Sequence, residues 1–282
     1  MPNSHVTNTL ITQFVQKLHA EEKSSATIEK YVRDVNAFAQ YAGAEELSKD
    51  LTISYKHALQ ERRYVLSSIN SMLASLNSFL TFCGRADCKV KLFRIQHRVY
   101  LTADKELSKA EYLRLLKAAN GNRRLNLLLQ TICATGIRVS ELQYFTVSAV
   151  RTGEVTVACK NKSRKILLPG KLQKLLLAFA RDTGLTGVIF CTRSGKPMNR
   201  SNIWASMKRL CAQAKVNPGK VFPHNLRKLF ARTFYNLEKD LAKLADVLGH
   251  SNINTTRIYI MTTGQEHRRQ LECLGLVASF AT

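Results

Sequence analysis

The sequence predicts a mainly α-helical protein with a small β-sheet, an α+β fold, divided into two domains. Apolar residues recur at helical spacing through most of its 282 residues. One stretch, 154–168, alternates instead, as a β-hairpin does. Charge also changes along the chain: residues 1–103 hold 13 Lys and Arg against 9 Asp and Glu, whereas residues 104–282 hold 30 against 11. We therefore expect an N-terminal domain of low net charge and a strongly basic C-terminal domain.

The net charge of +23 indicates a polyanionic partner, nucleic acid first and an anionic membrane surface second. The sequence has no apolar run of the roughly 18 residues that a membrane span needs, and the polar N-terminus lacks a signal-peptide core. The seven cysteines are scattered and form no CxxC pair, which is typical of a reducing compartment and disfavours a zinc site. We expect a cytoplasmic, nucleoid-associated protein without a metal or other cofactor.

The N-terminal domain, residues 1–85, is predicted to be helical throughout. Its apolar positions repeat at helical spacing in four stretches, the third being the weakest. The predicted helices cover 8–21, 25–41, 50–62 and 67–82. Lys30 and Arg33 lie on the second helix and could contact a nucleic-acid backbone, although a solvated face is the commoner role for any single cation.

Residues 86–104 are predicted to form a basic interdomain linker. The segment has no strong hydrophobic period and contains Arg94 and Arg98 among several cations. Its charge favours a position along DNA rather than in free solvent.

The C-terminal domain, residues 105–282, begins with a capping box, Ser108 to Glu111, that starts a helix at Lys109. A second helix, 123–134, is broken by Gly136, so Arg138 lies at a junction before a new helical turn. Such an arginine either points at a specific target or simply pairs with Glu141 at i, i+3 spacing. The residues alone do not decide between these interpretations.

The only clear β signal is a hairpin formed by 154–159 and 164–169. Its predicted turn, Lys160 to Ser163, is rich in cations, and Arg164 follows at once. Turn lysines are usually just solvated, but this cluster makes a phosphate contact plausible at Lys160, Lys162 and Arg164.

The hairpin is followed by further predicted helices and one short strand. The helices cover 170–181, 199–214 and 240–248, and the strand covers 188–191. Trp204 on the second of these helices is interpreted as a packing anchor rather than a base-stacking platform.

Two clusters near the C-terminus could bind a phosphate. Pro223 is a natural first-turn residue, so His224 and Arg227 share one face at the start of a helix, where free N–H groups attract anions. The alternative is a capping histidine with a surface arginine. His250 follows the helix-ending Gly249, and Tyr259 comes nine residues later.

These residues resemble, in order and context, the tyrosine site-specific recombinases, the integrases of phages and mobile elements and the Cre-like and Xer-type enzymes. The motifs are Thr-Gly-Ile-Arg138, a hairpin lysine, His224-x-x-Arg227, Leu-Gly-His250 and Tyr259. The resemblance is strong over 104–282 and looser over the N-terminal helices, which are similar to that family's core-site DNA-binding domain. It implies two domains that form a clamp on DNA.

The resemblance also implies a role for each matched residue. Tyr259 would attack the scissile phosphate to give a 3′-phosphotyrosine bond and a free 5′-hydroxyl. Arg138 and Arg227 would bind the non-bridging oxygens, and His250 would hydrogen-bond the phosphate. His224 would act as the base and Lys160 as the acid for the leaving oxygen, with Lys162 as a rival because the hairpin lacks the family's usual glycine. No metal or ATP would be needed.

The implied partner is double-stranded DNA with a specific recombination site, bound by a homotetramer. The apolar end of the tail, 271–280, is expected to dock onto a neighbouring protomer, and the 250–259 segment to be mobile enough to move Tyr259. The biological outcome, whether integration, excision or dimer resolution, stays open. Two alternatives remain: a catalytically idle DNA-binding or architectural protein of the same fold, and a type IB-like topoisomerase.

Overall fold

The computed structural model describes residues 5–95, 106–159, 162–260, 264–274 and 276. Within these ranges the protein is mainly helical with one two-stranded sheet, which confirms the predicted fold class. Internal contacts divide the chain into two compact units, Met1–His97 and Arg98–Thr282. No helix in the described ranges is long and apolar enough to cross a bilayer.

The N-terminal unit contains four helices that enclose an aromatic core. They are α1 (Asn8–Ala20), α2 (Ser25–Ala42), α3 (Lys49–Glu61) and α4 (Leu66–Phe82). Phe14 and Phe79 are fully buried and meet edge to face, with ring centroids 5.3 Å apart. Phe38 and Tyr55 form a second such pair at 5.1 Å. Both geometries are favoured by the ring quadrupoles and fix how the helices cross.

Residues 86–95, the first part of the predicted linker, are hydrogen-bonded to α4. The Asn77 amide both donates to and accepts from the backbone of Val90, at 2.8 and 2.9 Å. Asn70 makes the same pair of bonds with Phe93, at 2.8 Å each. Two side-chain amides thus satisfy backbone groups that a neighbouring strand would otherwise satisfy. This part of the segment is anchored to the N-terminal unit.

The C-terminal unit is a helical domain with the hairpin on one side. Its helices are α5 (Lys109–Ala118), α6 (Arg123–Thr135), α7 (Val147–Thr152), α8 (Gly170–Asp182), α9 (Arg200–Ala214), α10 (Pro223–Glu238), α11 (Leu241–Leu248), α12 (Ile253–Ile260) and α13 (Gly264–Glu272). The strands are β1 (Glu154–Cys159) and β2 (Lys162–Leu167), paired antiparallel from Glu154 with Leu167 to Cys159 with Lys162.

Two predictions for the β structure of this unit need correction. The hairpin strand β2 begins at Lys162, so the turn is shorter than the predicted 160–163. The predicted strand 188–191 forms only isolated bridges, Val188 with Thr146 and Cys191 with Pro197. Each bridge pairs a single residue, so no continuous ladder forms at 188–191.

Trp204 is not a packing anchor. Its side chain is 50% exposed, and the ammonium of Lys208 lies 5.1 Å from its ring centroid. Met207 and Ile203 fill the buried face of α9 instead, and Trp204 lies to one side of that face.

The helix α6 is the centre of the C-terminal core and ends at a glycine that packing requires. Gly136 has φ +63°, and a Cβ there would collide with the ring of Phe230. Replacement by any other residue would therefore strain the backbone and push apart α6 and α10. The close approach places the carbonyl of Gly136 beside the start of α10.

The helices α11 and α12 pack against α10. Gly249, in the left-handed region at φ +64°, ends α11. The chain then turns into α12, which the sequence did not predict. Tyr259 on α12 packs with Ala231, Leu244 and Leu248 in a small apolar cluster. This packing, rather than a strong period in α12 itself, holds the tyrosine in place.

Candidate active site

Five of the predicted site residues line one cavity of about 700 Å³ in the C-terminal unit. Different parts of the chain supply them: the junction after α6, the start of α10, the residue after α11, and α12. They are Arg138, His224, Arg227, His250 and Tyr259. None of the described residues that line the cavity is Asp or Glu, so the cavity presents cations and polar groups to an anion.

Arg227 is the buried centre of the site. Its side chain is 2% exposed, and its guanidinium donates to Gly136 O and, at 2.8 Å, to Leu248 O. Burial and the nearby Arg138 lower its pKa to about 10. The group is still charged at neutral pH. The two carbonyls belong to helix ends, where an arginine is favoured by the local dipole.

His250 is held as the neutral tautomer by its two partners. Its Nε2 lies 2.9 Å from a terminal nitrogen of Arg227, and its Nδ1 lies 2.9 Å from Oγ1 of Thr256. A guanidinium can only donate, so Nε2 accepts and Nδ1 carries the proton, which it donates to the fully buried threonine hydroxyl. Burial, Arg227 and Arg138 lower the pKa of His250 to about 4, consistent with an uncharged ring.

Tyr259 lies between the two histidine rings. The ring centroid of Tyr259 is 5.3 Å from that of His224 and 5.5 Å from that of His250, and the second pair is stacked. The tyrosine is 6% exposed. Burial, Lys228 and Arg227 lower the pKa of His224, so His224 is neutral at pH 7 and can accept a proton.

Arg138 is fixed by Glu141, as the i, i+3 interpretation expected, and it also lines the cavity. Its guanidinium is 3.1 Å from Glu141 Oε1, and its backbone N–H donates to Oε2 at 2.7 Å. The Arg138 side chain is 41% exposed whereas that of Glu141 is 4% exposed. The two interpretations of Arg138 are therefore compatible: the carboxylate holds the guanidinium while one edge still faces the cavity.

Arg164, predicted as a DNA contact, is engaged inside the domain. Its side chain is 16% exposed. One terminal nitrogen donates to Val247 O at 2.6 Å and the other to Glu141 Oε2 at 2.7 Å. Both ends of the guanidinium are thus used by protein acceptors.

The remaining predicted residues are in varied settings. Lys160 and Arg98 lie outside the described residues, and of Lys162 only the backbone, at the start of β2, is described. Arg94 is exposed in the segment after α4. The Arg33 side chain is 74% exposed. The prediction for these cations is a DNA contact, and the exposure of Arg94 and Arg33 is compatible with it.

Lys30 has a structural role. Its ammonium donates to Ser71 O at 2.5 Å and Ser75 Oγ at 2.7 Å, and pairs with the buried Asp34 at 2.9 Å. An ammonium has three donors, and all three have acceptors within the N-terminal unit. This arrangement disfavours Lys30 as a phosphate ligand.

Sequence reasoning missed Glu141 and Thr256 as parts of the site. Glu141 was considered only as a surface partner of Arg138, but it is buried and binds two arginines. Thr256 is one of several small polar residues in 250–259, and nothing in its spacing distinguishes it. The only clue to a contact between Thr256 and His250 is their separation of six positions. This separation can be interpreted only once the position of α12 is known.

Comparison with known proteins supports this arrangement. Residues 105–266 match the phage integrase family and residues 11–86 match the N-terminal SAM-like domain of phage integrases. The chain is 29% identical over 285 residues to the tyrosine recombinase XerD of Xanthomonas campestris, covering 90% of this chain and 88% of that protein. It is 25% identical to the tyrosine recombinase XerA of Thermococcus kodakarensis, covering 96% of each.

The fold is also found among solved structures. A lambda integrase dimer bound to a COC′ core site superposes with a TM-score of 0.71 at 17% identity, covering 92% of this chain and 78% of that one. These matches confirm the resemblance that the motifs carried. With a family match over more than half of its length, the chain belongs to the phage integrase family and is a DNA strand-exchange enzyme of the tyrosine recombinase type.

Proposed function

We propose that this protein is a site-specific DNA recombinase that cuts and rejoins strands through a 3′-phosphotyrosine intermediate, without a metal ion or ATP. The observation that carries the proposal is the placement of Tyr259 between His224 and His250, at ring distances of 5.3 and 5.5 Å, in a cavity that also contains two arginines. A nucleophile, a base and an anion-binding group thus share one site.

In the first step the Tyr259 oxygen attacks the scissile phosphorus while the bond to the 5′-oxygen breaks. The phenolic proton passes to His224, whose neutral ring can accept it. A phenol is a weak nucleophile until it loses its proton, so attack at neutral pH needs such a base. The bond to phosphorus is exchanged rather than hydrolysed, so attack by a 5′-hydroxyl reverses the step without an external energy source.

Arg227 and Arg138 bind the non-bridging oxygens of the phosphate. The charge that builds up on these oxygens in the transition state is stabilised by donors already in position. Arginine suits this task because its fork is planar and permanently charged. Arg227 uses His250 as an acceptor, and an arriving phosphate oxygen would compete for that donor.

The leaving 5′-oxygen must take up a proton as the bond breaks. We assign this proton to Lys160, next to the end of β1, with Lys162 at the start of β2 as the rival. The two lysines are two positions apart in the sequence, so substitution of each in separate variants is needed to tell them apart.

We further propose that residues 1–85 bind the core site, that 86–104 connect the domains along the DNA, and that the catalytic domain, 105–282, closes the clamp. The partner is a duplex with a specific recombination site, in the cytoplasm of a prokaryote or in the context of a phage or mobile element. Six cysteines of the described chain are free thiols, as a reducing compartment favours.

The active assembly is proposed to be a homotetramer joined through the C-terminal tail. Leu271, Leu274 and Leu276 are exposed by 54%, 58% and 84%. Three large apolar side chains within one short segment are costly to leave in water. A groove on a neighbouring protomer would bury them.

The central test is Tyr259→Phe with a nicked substrate that traps the covalent intermediate. The change removes one oxygen and keeps the ring that packs on α10, so folding and DNA affinity are expected to be close to wild type. Covalent adducts, resolved by denaturing gel, are expected to disappear. Adduct formation by the Phe variant would overturn the assignment of the nucleophile.

Two further results separate the alternatives. An idle DNA-binding protein would bind a specific duplex and give no adduct even with the wild-type chain. A topoisomerase would relax supercoiled plasmids that lack any recombination site, whereas a recombinase is expected to need its site.

A further inference from the structure

The arginine at position 164 joins three parts of the C-terminal unit that the proposed chemistry requires. It lies on β2, two residues after the strand begins at Lys162. Its guanidinium reaches Val247 O at the end of α11 and the Glu141 carboxylate after α6. These contacts span 83 and 23 positions along the chain, so a single side chain fixes the hairpin relative to two distant segments.

The face of the hairpin explains why this residue points inward. Side chains alternate along a strand, and Arg164 shares a face with the buried Ile166, which is 5% exposed. Its neighbour Lys165 faces outward, with a side chain that is 71% exposed and pairs with Glu154 at 3.0 Å. Arg164 and Lys165 are adjacent cations on one strand, but Arg164 points into the domain and Lys165 points into solvent.

The end of α11 is shaped to receive the arginine. A Cβ on Gly249 would lie 2.5 Å from Cδ and 2.8 Å from Nε of Arg164. The aliphatic part of Arg164 thus lies against Gly249, in a space that the side chain of any other residue type at position 249 would fill. Val247 O is one of the last carbonyls of a helix, which lack intrahelical partners and favour a cation.

The Glu141 carboxylate is shared between two arginines. Its Oε2 accepts from Arg164 and from the backbone of Arg138, while Oε1 accepts from the Arg138 guanidinium. Burying a carboxylate is costly unless it is paired and hydrogen-bonded, and these contacts supply that pairing. Arg138 makes two contacts of its own to Glu141, so the arginine that faces the cavity does not depend on Arg164 for its position.

We propose that Arg164 is a positioning residue that sets strand β2 against the end of α11 and thereby supports transfer of a proton to the leaving oxygen. The inference rests on the proposed phosphotyrosine chemistry. The next residues after α11 are Gly249 and His250, so the same contact relates strand β2 to the start of the segment that leads to Tyr259. Arg164 itself need not touch DNA, since protein acceptors occupy both ends of its guanidinium.

The test uses Arg164→Gln and the charge-preserving Arg164→Lys, with Lys165→Gln as the matched control. Each full-length variant is checked by thermal unfolding and by DNA affinity. Cleavage rates are then measured at saturating DNA on two nicked substrates, one with the natural bridging 5′-oxygen and one with sulfur in its place. A thiolate is a much better leaving group than an alkoxide, because its thiol has a pKa of only about 8.5, and it departs without a proton donor.

Arg164→Gln is expected to cleave the oxygen substrate at least about tenfold more slowly, since small misplacements of catalytic groups have effects of this size. The sulfur substrate is expected to restore most of the rate. Arg164→Lys, which keeps the charge but can make only part of the contact, should fall between the wild type and Arg164→Gln. Lys165→Gln should match the wild type on both substrates.

Several outcomes would overturn the inference. An equal loss on both substrates would place the effect in phosphate binding or in folding rather than in proton donation. Weaker DNA binding with a normal rate at saturation would restore Arg164 as a DNA contact. Unchanged rates would remove any positioning role. If the wild-type chain forms no adduct at all, the proposed chemistry itself fails and this inference falls with it.

Discussion

Nε2 of His250 accepts a hydrogen bond from Arg227 across 2.9 Å, and this contact fixes the charge state of the histidine. An arginine has no lone pair to offer, so a proton on Nε2 would face the guanidinium and break the bond. The ring is therefore held neutral.

Stability is expected to fall with acid because of His250. Its folded pKa is about 4, whereas an unfolded histidine titrates near ~6.5. Between these values the unfolded chain binds more protons, so the free energy of unfolding falls as the pH drops from about 6.5 to 4, by at most about 1.4 kcal/mol per pH unit.

Urea unfolding of the wild type and of His250→Gln at several pH values checks this. The wild type should lose more stability than the variant across that window. His224, whose pKa is also lowered, remains in both chains and cancels. Parallel curves for the two chains would show that His250 is not held neutral.

Gly136→Ala should destabilise the protein more than an alanine at another left-handed glycine. Both Gly136 (φ +63°) and Gly184 (φ +67°) have a positive φ, but only at Gly136 would the new Cβ meet Phe230 and Leu248. The backbone strain alone costs roughly 1 kcal/mol, and the collision adds about 1–3 kcal/mol.

Chemical denaturation of Gly136→Ala and Gly184→Ala measures the difference directly. Because the carbonyl of Gly136 also accepts from Arg227, cleavage by the first variant should slow as well. Equal destabilisation by the two substitutions would mean that Phe230 moves aside at little cost.

Lys30 and Arg33, one helical turn apart on α2, should respond in opposite ways to truncation. Lys30→Ala leaves the buried Asp34 without its ammonium partner and is expected to cost about 1–3 kcal/mol of stability. Arg33→Ala should leave stability nearly unchanged. If Arg33 contacts a phosphate, its loss should also reduce the salt dependence of DNA binding by about one unit of slope.

Urea unfolding and DNA titrations at several salt concentrations separate the two effects. A lower salt slope for Lys30→Ala with unaltered stability would contradict the structural role of that lysine.

Deleting residues 271–282 should impair assembly more than binding to one site. The deletion removes the exposed leucines of the tail but none of the residues that line the catalytic cavity. Gel-shift titrations report binding of one protomer to one half-site, and native gels or light scattering report the synaptic complex. Equal losses in both assays would count against protomer exchange through the tail.

The sequence predicted the helices that carry their own apolar stripe. In α2 and α4 the buried residues fall at the spacing that the sequence shows, and Gly43 and Gly84 follow their ends. The sequence does not predict helix α12, because many of its residues are small and polar. Its stability comes from packing on α10 and α11. The apolar run 188–191 predicts a strand, but periodicity cannot distinguish a short buried strand from another buried segment of the same length.

The members of the candidate site were predictable as motifs, but their mutual contacts were not. The spacing of His224 and Arg227 indicates that both side chains lie on one face of a helix. Arg138 and Arg164 share Glu141 only because separate segments of the chain come together in the folded domain. In the sequence, Arg164 does not differ from any other cation of a hairpin. Only burial and hydrogen-bond geometry separate it from Lys165.

The end of α11 offers three successive carbonyls to three arginines: Val247 O to Arg164, Leu248 O to Arg227 and, more loosely at 3.4 Å, Gly249 O to Arg138. Peptide oxygens do not titrate in any pH range where the protein folds. The mutual repulsion of the three guanidiniums is therefore offset largely by acceptors whose strength is independent of acidity. The arginine cluster should keep its geometry under acid conditions that would already have discharged a cluster built on carboxylates alone.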